Sequence, residues 1–264
     1  MTLLRAPHDL VGRTALVATS SIALVLFAWP LVAGALLVPG GLGMTIALVG
    51  LPVVVVVASL SLDGTLRSTS VLALVAVLSA LGAGARVLSV GVGGIEFIFI
   101  VVILAGRTLG ARLGFIVGVI AVGLSSLVWG GFGPWTAFQM CAVGWVSAGA
   151  GLLPRLGDPV TPRGRTRELV MLMAYGVLAS YAFGLIMNLW FWPIAVGPGT
   201  TVSFVEGAPL LENVTRFVVY SLASSTLTWD TVRAITTMVG LALVGKPALQ
   251  ALRRAHVRAR PVAV

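Results

Sequence analysis

Charged residues are scarce in this chain: 9% of its 264 residues are Asp, Glu, Lys or Arg, whereas 58% are apolar. Soluble domains carry roughly 25% charged residues, so this chain has too few polar side chains to cover a water-exposed surface. The composition excludes an ordinary soluble fold and favours membrane spans of about 20 residues each. We therefore expect an all-α integral membrane protein.

Cysteine and histidine are nearly absent. Cys141 is the single cysteine, which excludes a disulfide framework and a cysteine metal site. His8 and His256 lie outside every apolar run, so no Ser-His dyad or histidine-ligated metal can form inside the membrane. A glycine-rich phosphate loop ending in Lys-Ser or Lys-Thr is also missing. We expect no enzymatic activity, no metal and no cofactor, so energy for any transport must come from a partner or an ion gradient.

Apolar runs bounded by charge, proline or glycine predict about eight transmembrane helices. A polar stretch rich in Pro and Arg, residues 154–167, separates the first six runs from the last two. Residues 207–227 are less apolar, and we interpret them as an outer loop with a short helix or a re-entrant turn. The eight runs cover about residues 15–38, 43–62, 68–89, 93–106, 109–130, 135–153, 168–192 and 228–250.

The basic residues predict the orientation of these helices. With the N-terminus inside, every Lys and Arg except Arg86, Arg216 and Arg233 falls on the cytoplasmic side, as the positive-inside rule requires. We expect a multi-pass protein of the cell membrane with both termini in the cytoplasm. The net charge of +9 is explained by these flanking residues and by a basic tail, residues 256–264, that contacts anionic lipid. A nucleic-acid partner is not expected.

Small residues recur at helical spacing in two places. Glycines at every fourth position predict one close-packing helix face, used either for permanent packing or as a sliding surface between moving parts. A shorter stripe on the third predicted span indicates internal packing or a docking face for another membrane protein. The first stripe is Gly106, Gly110, Gly114 and Gly118, and the second is Ala76, Ala80 and Gly84.

Residues 130–140 contain three glycines and Pro134, which break the helix at the outer end of the fifth predicted span. Trp129, Trp135 and Gln139 surround the break. Non-helical backbone at membrane depth persists only where it is buried in protein or lines a cavity. The segment is therefore either an ordinary outer turn with interfacial tryptophans or a ligand pocket in which rings stack and an amide selects hydrogen-bonding groups.

Four ionisable residues fall in the outer half of the predicted helices, where charge is costly unless it is paired, hydrated or bound to a ligand. Asp230 and Arg233 are three residues apart, a spacing that lets them pair on one helix face. Arg86 and Glu96 either pair across the connection between two helices or face one shared pocket. Structural ion pairing and ligand binding both explain these charges.

Several of these segments together resemble the substrate-binding (S) components of energy-coupling factor (ECF) transporters, over about residues 68–255. The resemblance rests on the run 86–96, the glycine repeat at 106–118, GlyPheGlyProTrpThrAlaPheGlnMet at 131–140 and AspThrValArgAla at 230–234. It implies a six-helix membrane protein that captures a vitamin or related micronutrient at its outer face. Its implied partners are a transmembrane coupling protein and two cytoplasmic ATPases.

The resemblance also implies an organisation of the chain and roles for single residues. Residues 1–67 form an N-terminal region with two helices, 68–255 the six-helix core and 256–264 the tail. Ala76 and Ala80 match the docking motif for the coupling protein. The residues expected around the outer pocket are Arg86, Glu96, Trp129, Trp135, Gln139, Asn188, Trp192, Asp230 and Arg233.

The chain departs from the family pattern in two respects. The N-terminal pair, residues 15–62, is additional, and Thr237 stands where an Asn is expected. The substrate therefore stays open among cobalamin or a precursor, another vitamin and a nucleobase-like compound. Two other functions also stay open: a membrane scaffold or assembly subunit without a ligand, and an ion-coupled secondary transporter that uses Glu96.

Overall fold

A computed structural model describes residues 7–36, 38–61, 69–89, 93–156 and 161–259, and all regular structure in these ranges is helical. Two predicted features lie outside the described residues: the junction between the N-terminal region and the core, at 67 and 68, and the end of the basic tail. In chain order the helices are α1 (Pro7–Phe27), α2 (Trp29–Ala35), α3 (Gly40–Ser61), α4 (Thr69–Leu88), α5 (Ile98–Leu109), α6 (Ala111–Val128), α7 (Thr136–Leu152), α8 (Pro162–Val196), α9 (Leu210–Ser221) and α10 (Thr231–Ala259), with a π-helical segment, Leu222–Asp230, between the last two.

Five helices in the described ranges are long and apolar enough to cross a membrane. They are α3, α4, α6, α8 and one continuous helix that joins α9, the π-helical segment and α10. A sixth crossing is formed if α1 and α2 are counted as one bent span, while α5 is apolar but shorter. The prediction of an all-α, multi-pass membrane protein is confirmed, and the number of eight spans stays a prediction.

The first predicted run, 15–38, contains two helices that meet at an angle of 75°. Pro30 lies in the first turn of α2, where its missing N–H and its ring end the preceding helix. The indole Nε1 of Trp29 donates a 2.9 Å hydrogen bond to the backbone oxygen of Trp190 in α8. The bend is therefore fixed by a contact with the rest of the bundle.

The predicted outer loop with a short helix or a re-entrant turn at 207–227 is helical throughout 210–227, so its short helix is present as α9 but is continuous with the following helix instead of ending in a loop. These residues begin a 49-residue helix, Leu210–Arg258, that is about 70 Å long at 1.5 Å per residue. Such a helix crosses an apolar layer of about 30 Å once and extends beyond it. Buried Asn213, Phe217 and Ser221 recur every fourth residue in α9, so α9 is amphipathic, and a search for apolar runs misses such a helix.

The prediction that four glycines share one helix face is also wrong. Gly110, with φ +89°, is the corner between α5 and α6, so the repeat is divided between two antiparallel helices. A Cβ at Gly106 would overlap the backbone oxygen of Ser147 in α7, and a Cβ at Gly114 would lie 2.7 Å from the Gly106 Cα. Gly118 packs equally closely on α7, against Gly144. Three of the four glycines therefore hold α5, α6 and α7 together.

Helix α6 is the centre of the bundle. In its 18-residue apolar stretch 61% of the residues are buried, against 33% in the corresponding stretch of α4 and 28% in that of α3. Around α6 pack α4, α5 and α7, while α8 and α10 pair with each other and adjoin α5. The first three helices pack on one another and on α7 and α8. The Phe27 ring contacts Phe138 edge-on at 5.0 Å, and Trp145 donates to Ser20. The N-terminal helices α1 to α3 thus cover one side of the bundle formed by α4 to α10.

Gly106→Ala is expected to destabilise the protein by about 3 kcal/mol, because the new methyl group meets rigid backbone of α7. Thermal unfolding of the purified chain in detergent measures this as a lower melting temperature. Gly84→Ala is the matched control, since its new methyl group on α4 would have no neighbour within 4 Å. Equal melting temperatures for the two variants would contradict the close packing at Gly106.

Candidate functional site

Charged side chains gather at the two ends of the helices. At one, here called the Arg233 end, α5, α7 and α10 begin and α4 and α6 finish. At the other, the Arg107 end, α5, α7 and α10 finish and α6 and α8 begin. All nine expected pocket residues lie at the Arg233 end or in the neighbouring half of α8, but the structure divides them among separate groups.

The Arg233 cluster consists of Arg233, Asp230 and Glu96. The guanidinium donates from Nη1 to Asp230 Oδ1 at 2.6 Å and from Nη2 to Glu96 Oε1 at 3.1 Å. Nη1 also lies 3.3 Å from the backbone oxygen of Ser180 in α8. The predicted pairing of Asp230 with Arg233 is therefore present, and Glu96 joins this pair instead of pairing with Arg86.

Asp230 is completely buried at the end of the π-helical segment. Its second carboxylate oxygen, Oδ2, accepts a 3.0 Å hydrogen bond from Ser225 within that segment. Gly184 of α8 lies directly against the carboxylate, and a Cβ there would overlap both oxygens. The wide turn of the π-helical segment and the lack of a side chain at Gly184 together make room for the buried Asp230 carboxylate. Helices of this type occur frequently at functional sites.

Two aromatic rings complete the surroundings of Arg233. Its guanidinium carbon lies 4.8 Å from the ring centre of Phe183 and 5.6 Å from that of Phe99, both within the range of a cation-π contact. The two rings meet edge to face at 5.2 Å. The positive charge is thus neutralised by two carboxylates and shielded by two rings.

The Arg86 cluster consists of Arg86, Ser125 and Gln139 and joins α4, α6 and α7. Arg86 donates from Nη1 to Ser125 Oγ at 2.9 Å and from Nη2 to Gln139 Oε1 at 2.8 Å. Ser125 is fully buried and was not predicted. The sequence signal for it is weak, because a serine inside an apolar run more often bonds to its own helix backbone, as Ser125 also does to Val122.

The break after α6 is a surface turn. Gly130 and Gly131 have φ of +80° and +66°, which side chains other than glycine rarely adopt. The Trp135 ring folds over Gly133, where a Cβ would overlap it. Trp129 and Trp135 are 57% and 45% exposed. This exposure is typical of interfacial tryptophans, and Gln139, in the first turn of α7, belongs to the Arg86 cluster.

Asn188 and Trp192 hold α8 to the segment that follows it. Asn188 donates to Ser221 Oγ at 3.0 Å. Trp192 is completely buried, donates from Nε1 to the Val202 oxygen at 2.7 Å and packs on Phe204 and Phe217. Both side chains expected in the pocket therefore contact protein groups, and Trp192 is part of the core.

Trp190 is a buried residue that sequence reasoning missed. Its ring stacks on Phe138 at 4.0 Å, nearly parallel, and its Nε1 has no hydrogen-bond partner among the described residues. Trp190 and Trp192 are two positions apart, so they project from nearly opposite sides of α8. Sequence alone does not indicate that both sides of α8 are covered here, by Phe138 on one and by Phe204 and Phe217 on the other.

Ala76, Ala80 and Gly84 lie on an exposed face of α4. A Cβ at Gly84 would have no neighbour within 4 Å. Of the two interpretations of this stripe, packing inside the chain is therefore wrong for the part of the protein that the structure describes. The described residues leave this face uncovered.

A second buried ion-pair cluster, at the Arg107 end, was not predicted. Glu168 of α8 accepts hydrogen bonds from both Arg107 and Arg253. Arg107 also donates to the backbone oxygens of Leu153 and Pro154 after α7. Glu168 follows three arginines in a polar stretch, a pattern typical of a solvated loop, so only its position in the fold shows that it is buried.

Comparison with known proteins identifies no relative: no protein-family model matches the chain, and neither a curated protein nor a solved structure does. Within the described ranges, no three His, Cys, Asp or Glu side chains come close enough to hold a metal ion. The side chains at the Arg233 end supply guanidinium, carboxylate, amide and aromatic groups.

Arg233→Gln is expected to destabilise the protein by roughly 3–5 kcal/mol, because it leaves the buried Asp230 carboxylate without its charged partner. Arg216→Gln removes the exposed pair with Glu212 and is expected to cost at most about 1 kcal/mol. Thermal unfolding in detergent compares the two variants. Adding Asp230→Asn to Arg233→Gln should recover part of the lost stability, because the unpaired carboxylate is then neutral. No recovery would show that the broken Arg233–Asp230 ion pair is not the cause of the destabilisation.

Proposed function

We propose that this chain is the substrate-binding component of an ECF-type transporter. It would capture a vitamin or related micronutrient, with cobalamin or a precursor as the first candidate, at the outer face for ATP-driven uptake by partner subunits. The observation that carries this proposal is the buried polar network at the Arg233 end, which comprises the Arg233 cluster and the Arg86 cluster.

The energetic cost of this network supports a binding role. Buried ion pairs are often no more stabilising than apolar residues of the same size, and charges within a membrane protein are generally kept for function. In this bundle Arg233, Asp230 and Ser125 are all buried. Packing alone would be served equally well by the leucines and valines that fill the rest of the core.

Unpartnered polar atoms support the same role. Arg233 Nε and Thr237 Oγ1, one turn apart on α10, are buried without a hydrogen-bond partner among the described residues, as is Trp190 Nε1. Each such group costs about 1–3 kcal/mol. A ligand with carbonyl or other acceptor oxygens would recover part of that cost. Thr237, at the position where an Asn is expected, would then influence which substrate binds.

The proposed orientation places the Arg233 end outside. Ten basic residues of the described chain lie at the Arg107 end or on the helix segments next to it, which favours the cytoplasm for that end under the positive-inside rule. They are Arg107, Arg112, Arg155, Arg163, Arg165, Arg167, Lys246, Arg253, Arg254 and Arg258. Both termini would then be cytoplasmic, and the partner ATPases would lie on the same side as the Arg107 end.

The exposed stripe on α4 supports a membrane partner. Ala76, Ala80 and Gly84 let another helix approach closely, because small residues bring backbones together where lipid supplies no hydrophobic driving force. The transmembrane coupling protein is the proposed occupant of this face. The glycine contacts between α5, α6 and α7 are different, because they are already filled by the chain itself.

The scaffold alternative has one observation in its favour: Trp129 and Trp135 are exposed, as membrane-interface anchors would be. The ion-coupled alternative relies on Glu96, whose carboxylate pairs with Arg233 at 3.1 Å. Protonating or metallating Glu96 would remove one of the two counter-charges of a buried guanidinium. Binding experiments separate capture of an organic substrate from both alternatives.

The isolated chain in detergent is expected to bind one member of a panel of water-soluble vitamins, cobalamin included, without ATP. Gln139→Ala should weaken this binding at least about tenfold, because the amide supplies a directed hydrogen bond next to Arg86. Isothermal titration calorimetry measures both values. Gln250→Ala, on α10 towards the Arg107 end, is the matched control and should bind like the unmodified chain.

No binding of any panel member by folded protein would remove the main support for substrate capture. Binding that Gln139→Ala leaves unchanged would contradict the assignment of the pocket but not the transport class.

Ala76→Leu combined with Ala80→Leu is expected to abolish co-purification with an ATPase pair, because two larger side chains keep a partner helix from close approach. Substrate binding by the isolated chain should be unchanged. Ala182→Leu with Ala242→Leu adds the same volume on exposed positions of α8 and α10 and serves as control. The docking face is wrong if the two double variants co-purify with the ATPases equally well.

A further inference from the structure

A cavity of about 490 Å³ opens at the Arg107 end, between the ends of α5, α7 and α10 and the start of α8. Arg107, Arg155 and Arg253 line it together with one carboxylate, that of Glu168. The charged side chains of the described lining thus carry an excess of two positive charges. The volume is within the range of small-molecule sites, roughly 300–1,000 Å³.

The arginines of this cavity are not equally available to a ligand. Arg107 is buried and already donates to Glu168 and to two backbone oxygens. Arg253 is partly exposed and bound to the same carboxylate. Arg155 is exposed at the rim and forms no hydrogen bond or ion pair with the described residues. Among the described residues, an anion at the rim therefore meets one guanidinium without a partner, that of Arg155, and one that is partly committed, that of Arg253.

An apolar groove of about 740 Å³ continues from this rim along the outside of α8. It shares Arg155 and Leu156 with the cavity. Beyond them it is lined by Arg167, Val170, Met171 and Ala174. Arg167, Val170 and Ala174 are three or four residues apart and so lie on one face of the helix, with Met171 beside Val170. Arg167, like Arg155, is exposed and forms no hydrogen bond or ion pair with the described residues.

We propose that the cavity and the groove together hold one anionic phospholipid. The phosphate lies at the rim between Arg155 and Arg167, the headgroup enters the cavity near Arg253, and an acyl chain follows Val170, Met171 and Ala174. Guanidinium forks match phosphate oxygens, and basic pockets between membrane helices bind anionic headgroups. This site is distinct from the network at the Arg233 end and does not depend on the proposed substrate.

The basic rim of the cavity is continuous with the apolar groove, and this favours a lipid over a free phosphate as the ligand. A soluble phosphate would use the arginines but leave the apolar groove unfilled, and a zwitterionic lipid would not neutralise the excess positive charge. The groove lies on the first apolar turns of α8, directly after the arginines at 163, 165 and 167. In a membrane-spanning helix, a basic segment followed directly by an apolar one suits a lipid phosphate followed by its acyl chains.

Native mass spectrometry of the full chain, released from vesicles of equal parts phosphatidylcholine and phosphatidylglycerol, tests the proposal. One phosphatidylglycerol is expected to stay bound in preference to phosphatidylcholine. Arg155→Gln with Arg167→Gln should weaken its retention about tenfold, and the control Arg163→Gln with Arg254→Gln by less than about twofold, because the control charges lie outside the cavity and groove. Equal losses in the two double variants would overturn the site.

The groove is tested separately from the charges. Ala174→Phe fills it and should lower retention of phosphatidylglycerol, whereas Leu178→Phe, one turn further on the exposed side of α8, should not. Inorganic phosphate at millimolar concentration should fail to displace the lipid. Displacement by phosphate, together with no effect of Ala174→Phe, would identify a free-phosphate site and overturn the lipid assignment.

Discussion

Arg233 lies inside an apolar bundle with a charge that it cannot lose, so the helices around it must supply acceptors and rings. Its partners come from three parts of the chain: Asp230 at the start of α10, Glu96 just before α5, and the Ser180 oxygen in α8. The π-helical segment and Gly184 make room for the buried acid. One side chain thus fixes the relative positions of α5, α8 and α10.

The Arg107 end repeats this principle with the charges reversed. There a buried carboxylate, Glu168, is held by two guanidiniums that reach it from α5 and α10. The same three helices, α5, α8 and α10, are therefore tied by ion pairs at both ends, while α5, α6 and α7 meet through glycines between them. A bundle fastened in this way presents two polar ends with different chemistry.

These two ends suit different ligands. At the Arg233 end, Arg86, Asn188 and Arg233 are already hydrogen-bonded to protein groups, so a substrate that binds there must exchange these hydrogen bonds for its own. The Arg107 end has an open cavity lined by Arg155, which has no hydrogen-bond or ion-pair partner in the part of the chain that the structure describes. Directed hydrogen bonds at the Arg233 end suit the proposed capture of a substrate. The excess positive charge at the Arg107 end suits the proposed binding of an anionic lipid.

Local spacing predicts some of the site correctly. The pairing of Asp230 with Arg233 follows from a separation of three residues on one helix, which is a property of helix geometry. The pairing of Glu96 with Arg233 spans 137 residues and does not follow from spacing. Arg86 is only ten residues from Glu96, so spacing makes it a plausible partner for that carboxylate. In the structure, Arg86 instead donates to Ser125 and Gln139 on two other helices.

By itself, the sequence determined that this protein is a helical membrane protein, because long apolar runs with few charges can satisfy their backbone within lipid only as helices. It also determined where charge can be tolerated, at the run ends. Tertiary structure alone decided that Gly110 turns the chain, that α9 continues into α10, and that Glu168 and Trp190 are buried. Those outcomes depend on which helices meet, and packing between distant segments leaves no local pattern in the chain.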